Sequence, residues 1–118
     1  MGGDGYYTMG VMEKPSEAIM AGDKGRFKVT EAKDDEFSFK SPSLRNIDLT
    51  APYFHSGAVW SLKDAISVMN VAQLGSAMTE DDLTFIEAFL RSATGKQPKV
   101  VHPILPAATD KTPKPSLD

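Results

Sequence analysis

The sequence predicts a mainly α-helical domain with long ordered loops and at most one short hairpin. Three observations lead there. Two windows carry apolar residues at spacings of three and four behind capping residues. Most of the glycines crowd into the first 25 residues, and five of the eight prolines follow residue 97. A chain of 118 residues with these punctuators holds one core, flanked by irregular segments.

Residues 1–25 read as irregular loop with one extended segment around Tyr6, Tyr7 and Met9. Gly25–Thr30 and Glu36–Lys40 each alternate apolar and polar residues across the acidic run Lys33–Glu36, which predicts a loose hairpin. From Ser41 to Gly57, Pro42 and Pro52 interrupt regular structure and leave a structured loop rich in aromatics. Ser61-Leu62-Lys63-Asp64 has the form of a capping box, and Leu62, Ala65, Ile66 and Met69 share one face of the helix behind it. A second helix begins after Thr79, with Asp82 as reciprocal cap and Leu83, Ile86, Phe89 and Leu90 on one stripe. Arg91 and Lys96 suit its negative end, and Gly95 is the expected left-handed terminator. The division is a domain over 1–97 and a proline-rich tail over 98–118.

Composition excludes several classes of function. The 13 basic and 16 acidic residues are interspersed, so no basic stripe for nucleic acid exists. No run approaches the roughly 20 apolar residues of a membrane span. The absence of cysteine removes disulfides, thiolate metal sites, thiol nucleophiles and thioether attachment of haem. His55 and His102 are the only histidines, and neither a His-Glu-x-x-His helix nor a Gly-x-Ser-x-Gly elbow is present. The pairs Asp34/Asp35 and Asp81/Asp82 read as solvated or capping groups. Spacing alone therefore declares no self-contained active site.

One run is distinctive. Phe39-Lys-Ser-Pro-Ser-Leu-Arg-Asn46, then Leu49-Thr-Ala-Pro-Tyr-Phe-His-Ser-Gly57, then a helix with Met69 and Gln73-Leu74-Gly75, resembles the C-terminal haem domain of the bacterial diheme cytochrome c peroxidases. Gly22–Phe27 and Leu83–Gly95 fit as well, so the resemblance covers roughly residues 5–97. Members carry a Cys-x-x-Cys-His motif in each of two domains, and this chain has neither. It looks like the part of the second haem domain that follows its attachment motif, a cytochrome c-like fragment inactive by itself.

The resemblance implies further roles. Met69 matches the methionine that ligates the iron of the electron-accepting haem, although from its residue pattern alone it reads as core beside Leu62 and Ile66. Thr50 and Pro52 match loop carbonyls bound to a structural calcium ion, a cation that prefers oxygen ligands. His55, Tyr53 and Phe54 fall at the interface with the N-terminal haem domain, the alternative for His55 being a hydrogen-bonding structural residue. Lys40 and Arg45 are positioned to neutralise haem propionates, or form surface salt bridges. Trp60 belongs to the haem environment or packs under the helix.

Haem c, two per intact protein, and calcium are the implied cofactors. The intact protein would be a periplasmic homodimer that reduces hydrogen peroxide with electrons from a small c-type cytochrome or cupredoxin. Two rival readings stand beside it: a haem-free binding or structural remnant, and a diheme oxidase of the methylamine-utilisation type. In the latter a tyrosine takes the methionine position, so Met69 favours the peroxidase.

Overall fold

In the structure, a computed structural model, residues 1–104 and 107–113 are described; Pro106 and Pro115 of the predicted tail lie outside the described residues. The element order is β1 (Tyr6–Thr8), α1 (Glu17–Met20), α2 (Phe27–Thr30), β2 (Ser38–Lys40), α3 (Leu62–Leu74) and α4 (Glu80–Ser92). Single 3-10 turns occur at Lys33–Asp35 and Ile47–Leu49. Regular structure is thus mostly helical, and long loops join it.

The two long helices start and stop as local chemistry dictates. Ser61 is extended, and its Oγ accepts the Asp64 N–H at 3.3 Å. This cap is one-sided, whereas Thr79 and Asp82 form the full reciprocal box. Glu80, Asp81 and Asp82 then face the positive end of the α4 dipole. α3 ends on Gly75, whose φ of 66° lets its N–H reach the Val71 carbonyl at 3.0 Å. Gly95, by contrast, is not a left-handed terminator. α4 ends at Ala93 in ordinary backbone geometry, and a side chain from elsewhere, Asn46, accepts the Gly95 N–H at 2.8 Å.

α3 and α4 pack around Tyr53, Leu62, Ala65 and Leu90, with Leu44, Ile47, Phe54, Val59, Ile66 and Ile86 against them. Lys63 and Glu80 pair across the helices at 2.6 Å. Leu83 and Leu90 are buried, but Phe89 is 56% exposed and does not share their face as the sequence suggests. At 100° per residue, positions 83, 86 and 90 stay together while 89 rotates away with Phe85. A second cluster, Met9, Ile19 and Met20, is covered by Phe37, Phe39, Phe54, Val59 and Val68.

The predicted hairpin is replaced by a different pairing. β1 and β2 run antiparallel with Tyr6 opposite Lys40, Tyr7 opposite Phe39 and Thr8 opposite Ser38. Residues 27–30 form a helical turn instead, and Val29 is 87% exposed. Alternation there buries too little apolar surface to hold a strand, and β1, 30 residues upstream of Ser38, occupies that side of β2. Only the start of that segment touches β2: Gly25 forms a parallel bridge to buried Ser38, and the Arg26 N–H donates to the Ser38 carbonyl at 2.8 Å.

Gly25 takes φ +62°, and a Cβ there would collide with the Ser38 carbonyl. Gly25→Ala should therefore cost about 2 kcal/mol or more in urea unfolding. Gly95→Ala, which meets only the Asn46 Oδ1 at 3.7 Å, should stay within about 0.5 kcal/mol. A second expectation concerns acid. Asp23 accepts the Gly25 N–H at 2.9 Å and pairs with Lys28 at 3.1 Å, and these hold its carboxyl below the usual value of 3.8. A carboxylate depressed by folding stabilises above its unfolded value and loses that contribution as pH falls through the folded one. Asp23→Asn should flatten the loss of stability below pH 3.8, measured as unfolding midpoint against pH.

Candidate functional site

A cavity of about 1280 Å³ lies between α3, α4, the β1–β2 pair and the loop before α3. It is larger than the roughly 300–1,000 Å³ of ordinary small-ligand pockets. α3 supplies one wall with Leu62, Ala65, Ile66, Met69 and Gln73, which recur every three or four residues and therefore project together. Ile86 and Leu90 of α4 extend this wall. Opposite stand Tyr7, Met9 and Phe39, and the loop closes the remaining side with Ile47, Thr50 and Pro52–His55. The lining is overwhelmingly apolar.

The ends of the cavity are tied down by hydrogen bonds between distant segments. Gln73 Nε2 donates to the Thr8 carbonyl at 3.1 Å, and the Met12 and Glu13 N–H groups both donate to the Ala72 carbonyl. The N-terminal segment is thereby held along the C-terminal end of α3. On the loop side the Tyr53 N–H donates to the Val59 carbonyl at 2.6 Å, its hydroxyl to the Ile47 carbonyl at 3.2 Å, and its ring is buried.

The cavity gathers some of the residues singled out in the sequence and leaves others outside. Met69 is on the α3 wall and 40% exposed, although Leu62 and Ala65 on the same stripe are buried. Lys40, Thr50, Pro52, Tyr53, Phe54 and His55 also belong to the lining. Tyr53 turns its ring into the core. His55 stacks on Phe39 with ring centres 4.3 Å apart, and its Nε2–H donates to the carbonyl of Met20, the most buried residue, at 3.0 Å. Arg45 and Trp60 do not line it, and Trp60 is 74% exposed.

Sequence reasoning missed four contributors. Met9 and Met78 add thioethers to the lining, and isolated methionines in irregular segments give no periodic signal. Asn46 and Asp48 join the loop to α4, with Asp48 3.3 Å from Arg91 Nε. Asn tolerates left-handed backbone, which is the one local hint at Asn46. Among the described residues no cluster of histidine and carboxylate side chains is arranged to hold a metal ion, and no helix is long and apolar enough to cross a membrane.

No protein-family model matches the chain. The cytochrome c551 peroxidase of Pseudomonas aeruginosa is 51% identical over 117 residues, 98% of this chain and 34% of that protein. The enzyme of the same name from Nitrosomonas europaea is 42% identical over 114 residues, 97% of this chain and 34% of its own length. Among solved structures, that of a MauG-like protein associated with microbial copper homeostasis matches with a TM-score of 0.58 and 28% identity, over 78% of this chain and 35% of the other. The shared architecture supports a cytochrome c-like fold. The chain is homologous to the C-terminal part of the bacterial cytochrome c peroxidases, and it spans about a third of the length of the curated relatives it matches.

Burial disfavours the phenolate of Tyr53 and pushes its ionisation above the usual 10.0, with the negative charge of Asp48 adding to the effect. A neutral form favoured by folding keeps its contribution below the unfolded value and loses it as pH climbs through the folded one. Stability should therefore fall above about pH 10. Tyr53→Phe should remove that alkaline loss while costing no more than about 1 kcal/mol at pH 7, because the Ile47 carbonyl still accepts from the Thr50 N–H at 3.1 Å and the Thr50 hydroxyl at 2.9 Å, both effects being read from urea midpoints.

Proposed function

We propose that the chain is the segment of the electron-accepting haem domain of a diheme cytochrome c peroxidase that follows its haem-attachment motif, with residues 1–97 forming the domain portion and 98–118 a tail. The observation that carries this is Met69. A methionine placed for packing is buried, yet this one stands partly exposed on an apolar cavity wall while Leu62 and Ala65 on the same stripe are covered. The cysteine-free sequence cannot make thioether bonds, so in this reading a haem-attachment motif and its histidine would be supplied by another part of the protein.

The lining suits a haem. It is apolar, wider than an ordinary ligand pocket, offers a soft sulfur from α3 and carries one cationic side chain, Lys40. A haem held there supplies a one-electron redox couple whose potential a thioether ligand raises by favouring the ferrous state. Met69 would contribute that sulfur. The α3 and α4 side chains exclude water from the apolar face, and Lys40 offsets propionate charge. The Phe39 stack and the Met20 carbonyl orient His55, which together with Phe54 meets the N-terminal haem domain. A structural calcium ion, if bound by this loop, would take the carbonyls of Thr50 and Pro52 as oxygen ligands. The surrounding loop supplies too few oxygens for the usual six to eight, so the neighbouring domain and water complete the set.

In the intact periplasmic protein, electrons from a small c-type cytochrome or cupredoxin would enter through this domain. Hydrogen peroxide, at the other haem, would take up two electrons and two protons to give two waters. Identities of 51% and 42% to cytochrome c551 peroxidases, against 28% to the MauG-like protein, support the peroxidase branch over the oxidase.

Met69→Leu in the intact protein separates ligand from core residue. As a nearly volume-conserving change it should cost less than about 1.5 kcal/mol of stability. The sulfur-to-iron charge-transfer absorption should nevertheless disappear and the potential of that haem should fall. His55→Gln should leave the absorption in place. Retention of both absorption and potential in Met69→Leu would reduce Met69 to a packing residue.

A further inference from the structure

The loop from Asn46 to Gly57 forms one side of the cavity, yet beyond a single 3-10 turn it has no regular structure to hold it there. Tyr53 and His55 hold its far half against the core, and its first residue ties it to the end of α4. Asn46 adopts φ 60° and ψ 21°, a left-handed conformation that asparagine enters at low cost. From that position its N–H donates to the Ala93 carbonyl at 3.2 Å, and its Oδ1 accepts the Gly95 N–H at 2.8 Å. Two backbone groups left over where α4 ends are thus satisfied by one residue 49 positions away from Gly95. Asp48 adds an ion pair to Arg91, which Glu87 also holds at 3.0 Å, but Arg91 is 59% exposed and such a pair contributes little.

α4 connects this anchor to the opposite wall. Its Leu90, one turn before the clasp, shares a core with Leu62 and Ala65, which precede Met69 on the same face of α3. The loop and the thioether are therefore both referenced to one rigid helix. We infer that Asn46 is a positioning residue: by clasping the end of α4 it sets the loop wall against the Met69 wall and so fixes how much water reaches a haem held between them. This rests on the proposed function, because its consequence is a reduction potential. Water entering beside a haem stabilises the more charged ferric form and lowers that potential.

Three substitutions in the whole haem-bearing protein test it. Asn46→Asp keeps the acceptor, Asn46→Gly keeps the backbone conformation without the acceptor, and Asn46→Ala keeps neither. In the glycine and alanine variants the Gly95 amide should exchange with solvent about tenfold faster, as loss of one hydrogen bond implies, and the potential of the methionine-ligated haem should fall. The aspartate variant should retain both values. Should the alanine variant fail to fold, the glycine variant, free of backbone strain, still decides. An unchanged potential in Asn46→Gly, alongside faster Gly95 exchange, would overturn the inference, as would an aspartate variant that falls with the glycine one. Absence of the sulfur-to-iron absorption from the unaltered protein would overturn the proposed function, and this inference with it, before any variant is compared.

Discussion

Burial of the Tyr53 ring between α3 and α4 is the contact on which the remaining geometry depends. The loop that carries it has no ladder or long helix of its own, so its shape must come from side chains inserted into a neighbouring core. Tyr53 does this with an apolar body packed against Leu62, Ala65 and Leu90, while its hydroxyl reaches back to the Ile47 carbonyl. An aromatic with a polar tip suits the position because it brings a large buried area and leaves no unpaired hydroxyl behind.

From that point the two halves of the core are joined. Phe54 and Val59 pack against both the Tyr53–Leu90 cluster and the Met9–Met20 cluster. Phe54 has φ 66° and Gly57 φ 65°, so the chain reverses tightly between them and returns to pair Tyr53 with Val59. The His55 ring, stacked on Phe39 and bonded to the Met20 carbonyl, closes the same joint from the N-terminal side. The cavity is lined by residues of both clusters, among them Tyr53, Leu62 and Leu90 of the first and Met9 of the second.

Charge plays a local part. Lys24 with Glu36 and Arg26 with Asp35, both partly exposed, organise the acidic turn between α2 and β2. Asp23 is the carboxylate whose environment is altered most clearly, through a backbone N–H and Lys28 together, and it stands where Gly25 must turn tightly beside β2. These pairs define a surface segment and leave the cavity wall apolar.

The amino-acid sequence by itself determined the long helices, because their caps, their apolar spacing and the glycine after α3 act within a few residues of one another. It also carried the family resemblance, since motifs spread over Phe39–Gly57 and Met69–Gly75 are a matter of residue identity and order. Only the tertiary structure decided the partner of β2, because strand pairing depends on which distant segment reaches the open edge: alternation at 25–30 was real, but Val29 had nothing to bury against. It likewise decided what the Leu62–Met69 stripe faces. Periodicity reports that a helix has an apolar side and is silent on whether a core or a cavity lies opposite, so the exposure of Met69 beside buried Ala65 appears only once α4 and the loop are in place. The end of α4 follows the same logic. Gly95 supplies the flexible residue that local rules favour, yet the free backbone groups there are satisfied by Asn46, 49 positions from Gly95, through a contact that no local pattern encodes.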